Sequence, residues 1–215
     1  MTQLSTSGSA ERNARTTPLN LLITLVLLGL VLLAWLLSWQ GTLAQAWPQV
    51  LLSQSGTFSY ALLALTATIG PLIGTRFLPN WLSAGIKTGW HGVISGFALV
   101  VGLIHGLFAT IGHDPLSVAQ VIVPGLAPDR TLTMAMGTLG LWGMLLVYVT
   151  WALRSRIGVK AARALHLLAY PTFLAATLHG LWLSHGGTNP TYVVGSAAVG
   201  GALLVRLVTL ARRKR

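Results

Sequence analysis

Six runs of mostly apolar residues, most of them about twenty long, recur along the chain at 20–39, 58–73, 86–111, 132–153, 164–183 and 192–210. A hydrocarbon core of about 30 Å is crossed by about twenty helical residues. Lipid offers the backbone no hydrogen-bond partners, so a crossing segment must satisfy itself as a helix, and runs this long exclude barrel strands. The expected fold class is therefore all-α: a polytopic membrane protein built as a six-transmembrane-helix bundle over residues 20–211. Residues 1–19 are polar, rich in Ser and Thr, and read as a disordered cytoplasmic tail, while 212–215 form a basic one. The run at 20–39 exceeds the apolar core of about 7 to 15 residues found in signal peptides, so it is expected to be retained as a helix. Only 8% of the 215 residues are charged, against about 25% in soluble domains, which excludes an ordinary soluble fold.

The net charge of +11 would suggest a nucleic-acid partner in a soluble chain, but its distribution assigns it to topology and predicts no nucleic acid. Arg12, Arg15, Arg76, Lys87, Arg154, Arg156, Lys160, Arg163, Arg206 and the basic residues 212–215 all fall on one side of the six runs. Arg130 falls on the other, with Asp114 and Asp129. The positive-inside rule then places both termini in the cytoplasm, and the third and fifth spans both run outward.

Four of the six histidines lie inside spans, His91 and His105 on the third, His166 and His179 on the fifth. An ionisable side chain at membrane depth is costly and marks function by default. At 1.5 Å rise per residue the two pairs are separated by about 21 and 19.5 Å, so parallel helices present imidazoles at two matching depths. His91 is expected to face His166 near the cytoplasmic side, and His105 to face His179 near the outer side. Two neutral imidazoles meeting across a bundle suit the axial positions of a low-spin haem b, which needs no cysteine, and the chain has none. On an ideal helix His91 and His105 share a face to within about 40°, but His166 and His179 fall about 140° apart. Pro171, between the latter two, is expected to kink the helix and reconcile them.

The competing reading is a cofactor-free transporter or scaffold in which these histidines only pack. The spans hold no Asp or Glu, which argues against a cation transporter or a carboxylate proton relay. Gly92, Gly96, Gly102 and Gly106 make room for a flat macrocycle or serve helix packing, and the sequence leaves both open.

The run IKTGWHGVISGFALVVGLIHG followed by LHLLAYPTFLAATLHG resembles the ferric reductase-like transmembrane domain, over about residues 55–210. That superfamily includes ferric reductases, NADPH oxidases and the haem-binding membrane subunit of the bacterial periplasmic methionine-sulfoxide reductase system. In the bacterial subunit a basic stretch leads into an LHxLxY run, much as Arg154, Arg156, Lys160 and Arg163 precede Leu165, His166, Leu168 and Tyr170. Retention of all four histidines is the pattern of the eukaryotic reductases. The resemblance implies two haems b, with His91 and His166 on the inner haem iron and His105 and His179 on the outer one. No Gly-rich dinucleotide-binding pattern occurs in these residues, so flavin and NAD(P)H chemistry is expected from another protein, or quinol replaces it.

The expected function is transmembrane electron transfer by an oxidoreductase component in the lipid bilayer of a bacterial inner membrane. The donor is a cytoplasmic flavin reductase or quinol, and the acceptor a periplasmic or extracellular reductase protein or ferric ion. The membrane anchor of a quinone-linked dehydrogenase is an alternative in the same class. His113, Asp114 and His185 lie just beyond the outer histidines and read as a solvated loop before they read as a ferric or cupric site. Trp35, Trp39, Trp47, Trp81, Trp90, Trp151 and Trp182 fall at or near span ends and are assigned to an aromatic belt.

Overall fold

A computed structural model describes residues 46–73, 75, 89–111, 114–184 and 189–213, with isolated positions between 26 and 36. The expected first span and the 1–19 tail lie outside the described residues, apart from Val26, Gly29, Leu32, Leu33 and Leu36, which are helical. Among the described residues the secondary structure is helical throughout: α1 (Ala46–Leu72), α2 (Trp90–Phe108), α3 (Val118–Ile122), α4 (Thr131–Ala152), α5 (Arg154–Ile157), α6 (Val159–His166), α7 (Ala169–Leu183) and α8 (Pro190–Arg213). Five stretches are long and apolar enough to cross a membrane: Val50–Leu72, Trp90–Phe108, Thr131–Ala152, Val159–Leu183 and Pro190–Arg212. The chain is thus an all-helical integral membrane protein.

The helices are turned inside out relative to a soluble bundle. Val194 and Leu204 on α8 are each 65% exposed, while the interior is built from small and hydroxylated residues such as Ala98, Thr138, Ala162, Thr172 and Ala202. Lipid solvates large apolar side chains, so close approach through small residues holds the helices together. Aromatic rings are buried in a cluster of Tyr60, Phe173 and Tyr192, with Ala64 and Val199, where α1, α7 and α8 meet. Tyr60 packs 5.4 Å from Phe173 and 4.6 Å from Tyr192, ring centre to ring centre. Its hydroxyl meets Thr177 Oγ1 at 3.1 Å and Ser196 Oγ at 3.2 Å, and it donates to the Tyr192 carbonyl at 3.2 Å. At the basic end Arg206 of α8 donates to the Ile73 carbonyl just beyond α1, at 3.4 Å, supplying a cation to the negative end of that helix.

Helix α1 begins well before the expected boundary at residue 58, although Ser53, Gln54, Ser55 and Thr57 interrupt the apolar run. The hydroxyls are absorbed by the helix itself: Ser55 donates to the Leu52 carbonyl at 3.2 Å and Thr57 to that of Ser53 at 3.3 Å. Helix α3 was not expected within a Pro-marked loop. Ser117 and Gln120 form its capping box, Ser117 Oγ accepting from Gln120 N at 3.2 Å and Gln120 Oε1 from Ser117 N at 2.7 Å. Thr138 and Trp142 of α4 hold α3 by donating to the Val121 and Ile122 carbonyls at 3.0 and 2.8 Å.

Around the bundle axis α2 packs chiefly on α1, and α7 chiefly on α4. Smaller contacts of α1 with α7 and of α2 with α4 close a ring. The two histidine-bearing helices therefore stand at opposite corners, with α1 and α4 between them.

Candidate haem-binding site

All four span histidines face the bundle axis. His91 opposes His166 with ring centres 6.1 Å apart and planes crossed at 62°. His105 opposes His179 at 6.0 Å and 79°. The structure therefore brings together the pairs expected from helix rise. The first lies at the end carrying Arg154, Arg156, Lys160, Arg163 and Arg206, the second at the end carrying α3, Asp129 and Arg130.

The angular mismatch on the second histidine helix is reduced by a change of winding that begins one turn earlier than Pro171. Helix α6 ends at His166 and α7 starts at Ala169. Between them Leu167 N donates to Ala164 O at 3.2 Å, Leu168 N to Leu165 O at 3.0 Å and Tyr170 N to Leu167 O at 3.2 Å, all in the tighter i to i−3 pattern. Each residue wound at about 3.0 rather than 3.6 residues per turn adds about 20°, so three such residues recover about 60° of the mismatch. Pro171 contributes by lacking the N–H that would otherwise reach the Leu167 carbonyl, which leaves that oxygen to Tyr170.

The spacing of the rings bears on what fits between them. An imidazole bound through Nε2 at about 2.0 Å has its centre about 3.2 Å from the metal, so two rings on opposite sides of one metal stand about 6.4 Å apart. Both pairs lie close to that value. Their donor set, two neutral nitrogens and no carboxylate, suits haem iron. Among the described residues no three His, Asp or Glu side chains converge, so these are opposed pairs and not a closed metal cage.

The His105 and His179 rings are held from behind. His105 Nδ1 donates to the Leu52 carbonyl of α1 at 2.9 Å, and His179 Nδ1 to the Thr133 carbonyl of α4 at 2.8 Å, with the ring proton assigned from these partners. Each ring lies where a side chain on the facing helix would otherwise be. A Cβ on Gly56 would stand 2.8 Å from His105 Cε1, and one on Gly137 2.6 Å from His179 Cε1. Nε2 is then the ring nitrogen left to bind a metal.

The His91 and His166 rings differ. His91 Nδ1 and His166 Nδ1 are buried with no hydrogen-bond partner among the described residues. The His166 ring lies 5.2 Å from Trp151, and the Arg154 guanidinium sits 5.4 Å from the Trp151 ring centre. Buried polar atoms without partners are rare and call for explanation.

Sequence reasoning missed Gly56 and Gly137, and it assigned Trp151 to the aromatic belt alone. The one local signal was the polar SQSGT stretch inside α1. Gly102 and Gly106 serve packing, since a Cβ on Gly102 would stand 3.2 Å from Ser59 Oγ and one on Gly106 3.4 Å from Val121 Cγ1, whereas Gly92 faces open space. His113 and His185 lie outside the described residues. Asp114 and Asp129 line one cleft of 340 Å³ with Pro115, Leu116, Gln120 and Pro128.

Compared with protein-family models, curated proteins and solved structures, the chain matches none.

Proposed function

We propose that this protein is a six-helix membrane cytochrome b that carries electrons across the membrane between two haems b. The single observation that carries the reading is the double imidazole pair, two opposed rings at each of two depths, at the separation a shared metal requires. His91 and His166 would hold the inner haem, His105 and His179 the outer. Bound there, haem b would supply reversible one-electron chemistry.

The chain's own residues hold and insulate. The Leu52 and Thr133 carbonyls orient the outer imidazoles, and the lipid-facing helices keep water from both pairs. The exposed Arg154, Arg156, Lys160 and Arg163 give the inner end a basic surface for an acidic flavin reductase. The positive-inside distribution supports a bacterial inner-membrane location with cytoplasmic termini, and electron flow from a cytoplasmic flavin or quinol donor to an outer reductase or ferric ion.

A lipid-facing cleft between α1 and α2 favours a second reading, the anchor of a quinone-linked dehydrogenase. It measures 380 Å³ and is lined by Leu51, Gln54, Ser55, Phe58, Val101 and Ile104, beside His105 in sequence. In that case a quinone exchanges electrons at the outer pair.

Vesicles containing the purified chain, with a charged reduced flavin inside and a ferric chelate outside, test the proposal. Outer iron is reduced faster than in protein-free vesicles, and a quinone-analogue inhibitor leaves the rate unchanged. Inhibition by the analogue selects the second reading, and no transfer above the protein-free rate overturns both.

A further inference from the structure

The two imidazole pairs differ on their far sides, and the difference is built into the backbone. In a helix the carbonyl of residue i accepts from the N–H of residue i+4, so the side chain at i+4 shields that oxygen. Gly56 stands four residues after Leu52, and Gly137 four after Thr133. At both places the missing side chain lets an imidazole settle on the helix and donate to the carbonyl's second lone pair, at 2.9 and 2.8 Å. The same device occurs on two helices, once for each member of the outer pair. Neither inner imidazole has it: His91 and His166 lack an acceptor for Nδ1 among the described residues, and the Arg154 cation lies over the Trp151 ring that contacts His166.

A ligating imidazole whose other N–H is drawn toward a carbonyl becomes a stronger donor, and a stronger donor favours ferric over ferrous iron. Loss of that bond, or a nearby positive charge, favours the ferrous state. Resting on the haem reading above, we infer that Gly56 and Gly137 are positioning residues that open the Leu52 and Thr133 carbonyls to His105 and His179, and so set the outer haem at a lower potential than the inner.

Potentiometric titration of the full purified chain, followed by its absorption spectrum, tests this. The wild type shows two reduction steps, and the lower one disappears in His105→Ala and His179→Ala. In Gly56→Ala and Gly137→Ala the added methyl displaces the ring from its carbonyl and the lower step moves up. The oxidised-to-reduced ratio of the outer haem at fixed potential falls several-fold, a tenfold fall being about 59 mV for one electron. The inner step stays in place, and Gly200→Ala, whose Cβ meets nothing within 4 Å on a helix without histidines, moves neither. Should a glycine variant not hold the outer haem, the order of the wild-type steps decides: an outer haem at or above the inner potential overturns the inference. Glycine variants that hold both haems and leave the outer step unmoved, or move both steps equally, overturn it too while leaving electron transfer intact. A chain that binds no haem overturns the functional reading itself.

Discussion

His105 and His179 stand with ring centres 6.0 Å apart, although their helices occupy opposite corners of the bundle and each packs chiefly on a different neighbour. Each ring rests against a helix that lacks a side chain at the contact, His105 on α1 at Gly56 and His179 on α4 at Gly137. His91 and His166 reach nearly the same spacing, 6.1 Å, without such a seat.

Replacing single ligands separates the two sites. If the two pairs hold haem as proposed, His105→Ala or His179→Ala should halve the haem content and leave the other haem reducible from the basic side. His91→Ala or His166→Ala also halves it, but electrons from that side no longer reach the remaining haem. Spectra of the four variants in oriented vesicles check this. Loss of the same haem in His91→Ala and His105→Ala, with the other lost in His166→Ala and His179→Ala, would mean that ligands pair along each helix and not across the bundle.

Stability is expected to depend on glycines that admit aromatic rings. A Cβ on Gly180 would collide with Cε1 and Cζ of Tyr192, whose ring is locked against Tyr60. Gly180→Ala should therefore cost about 2 kcal/mol as the packed cluster is forced apart. A Cβ on Gly200 meets nothing within 4 Å, so Gly200→Ala serves as the control and should be near neutral. Thermal unfolding in detergent measures both, and equal midpoints would contradict the packing described for α1, α7 and α8.

Tyr60→Phe should be mild by comparison. The lost hydroxyl leaves Thr177 donating to the Phe173 carbonyl at 2.8 Å and Ser196 to the Tyr192 carbonyl at 2.7 Å, so its partners are not stranded. The expected cost is about 1 kcal/mol with haem content unchanged. A loss of several times that size would show that the hydroxyl organises the cluster.

The sequence carried the membrane class, most span positions and the cross-bundle pairing, because apolar run length and helix rise translate directly into depth. It did not carry rotation. The break at Leu167 and Leu168 depends on which carbonyls the backbone can reach once Pro171 has withdrawn its N–H, and a 3.6-residue period does not report that. Nor did it carry the glycine cradles: Gly56 meets a histidine on another helix, and nothing local to SQSGT names that partner. Helix α3 was more accessible, since Ser117 and Gln120 have capping-box spacing, but the surrounding prolines drew the reading toward loop.

Orientation is directly measurable because the chain contains no cysteine. Asp129→Cys and Lys160→Cys place single thiols at exposed positions on opposite ends of the bundle. In sealed vesicles with the outer face exposed, a membrane-impermeant maleimide should label the first and spare the second. The reverse pattern would invert the topology and exchange the inner and outer sites.

The measurement that tests the central claim most directly is the haem content of the purified chain, taken as pyridine haemochrome per polypeptide together with the ferric electron paramagnetic resonance spectrum. Two opposed imidazole pairs predict two haems b per chain, both low-spin with nitrogen ligands on either side. One haem would leave one of the pairs without its assigned role, and none would show that the four histidines meet only to pack.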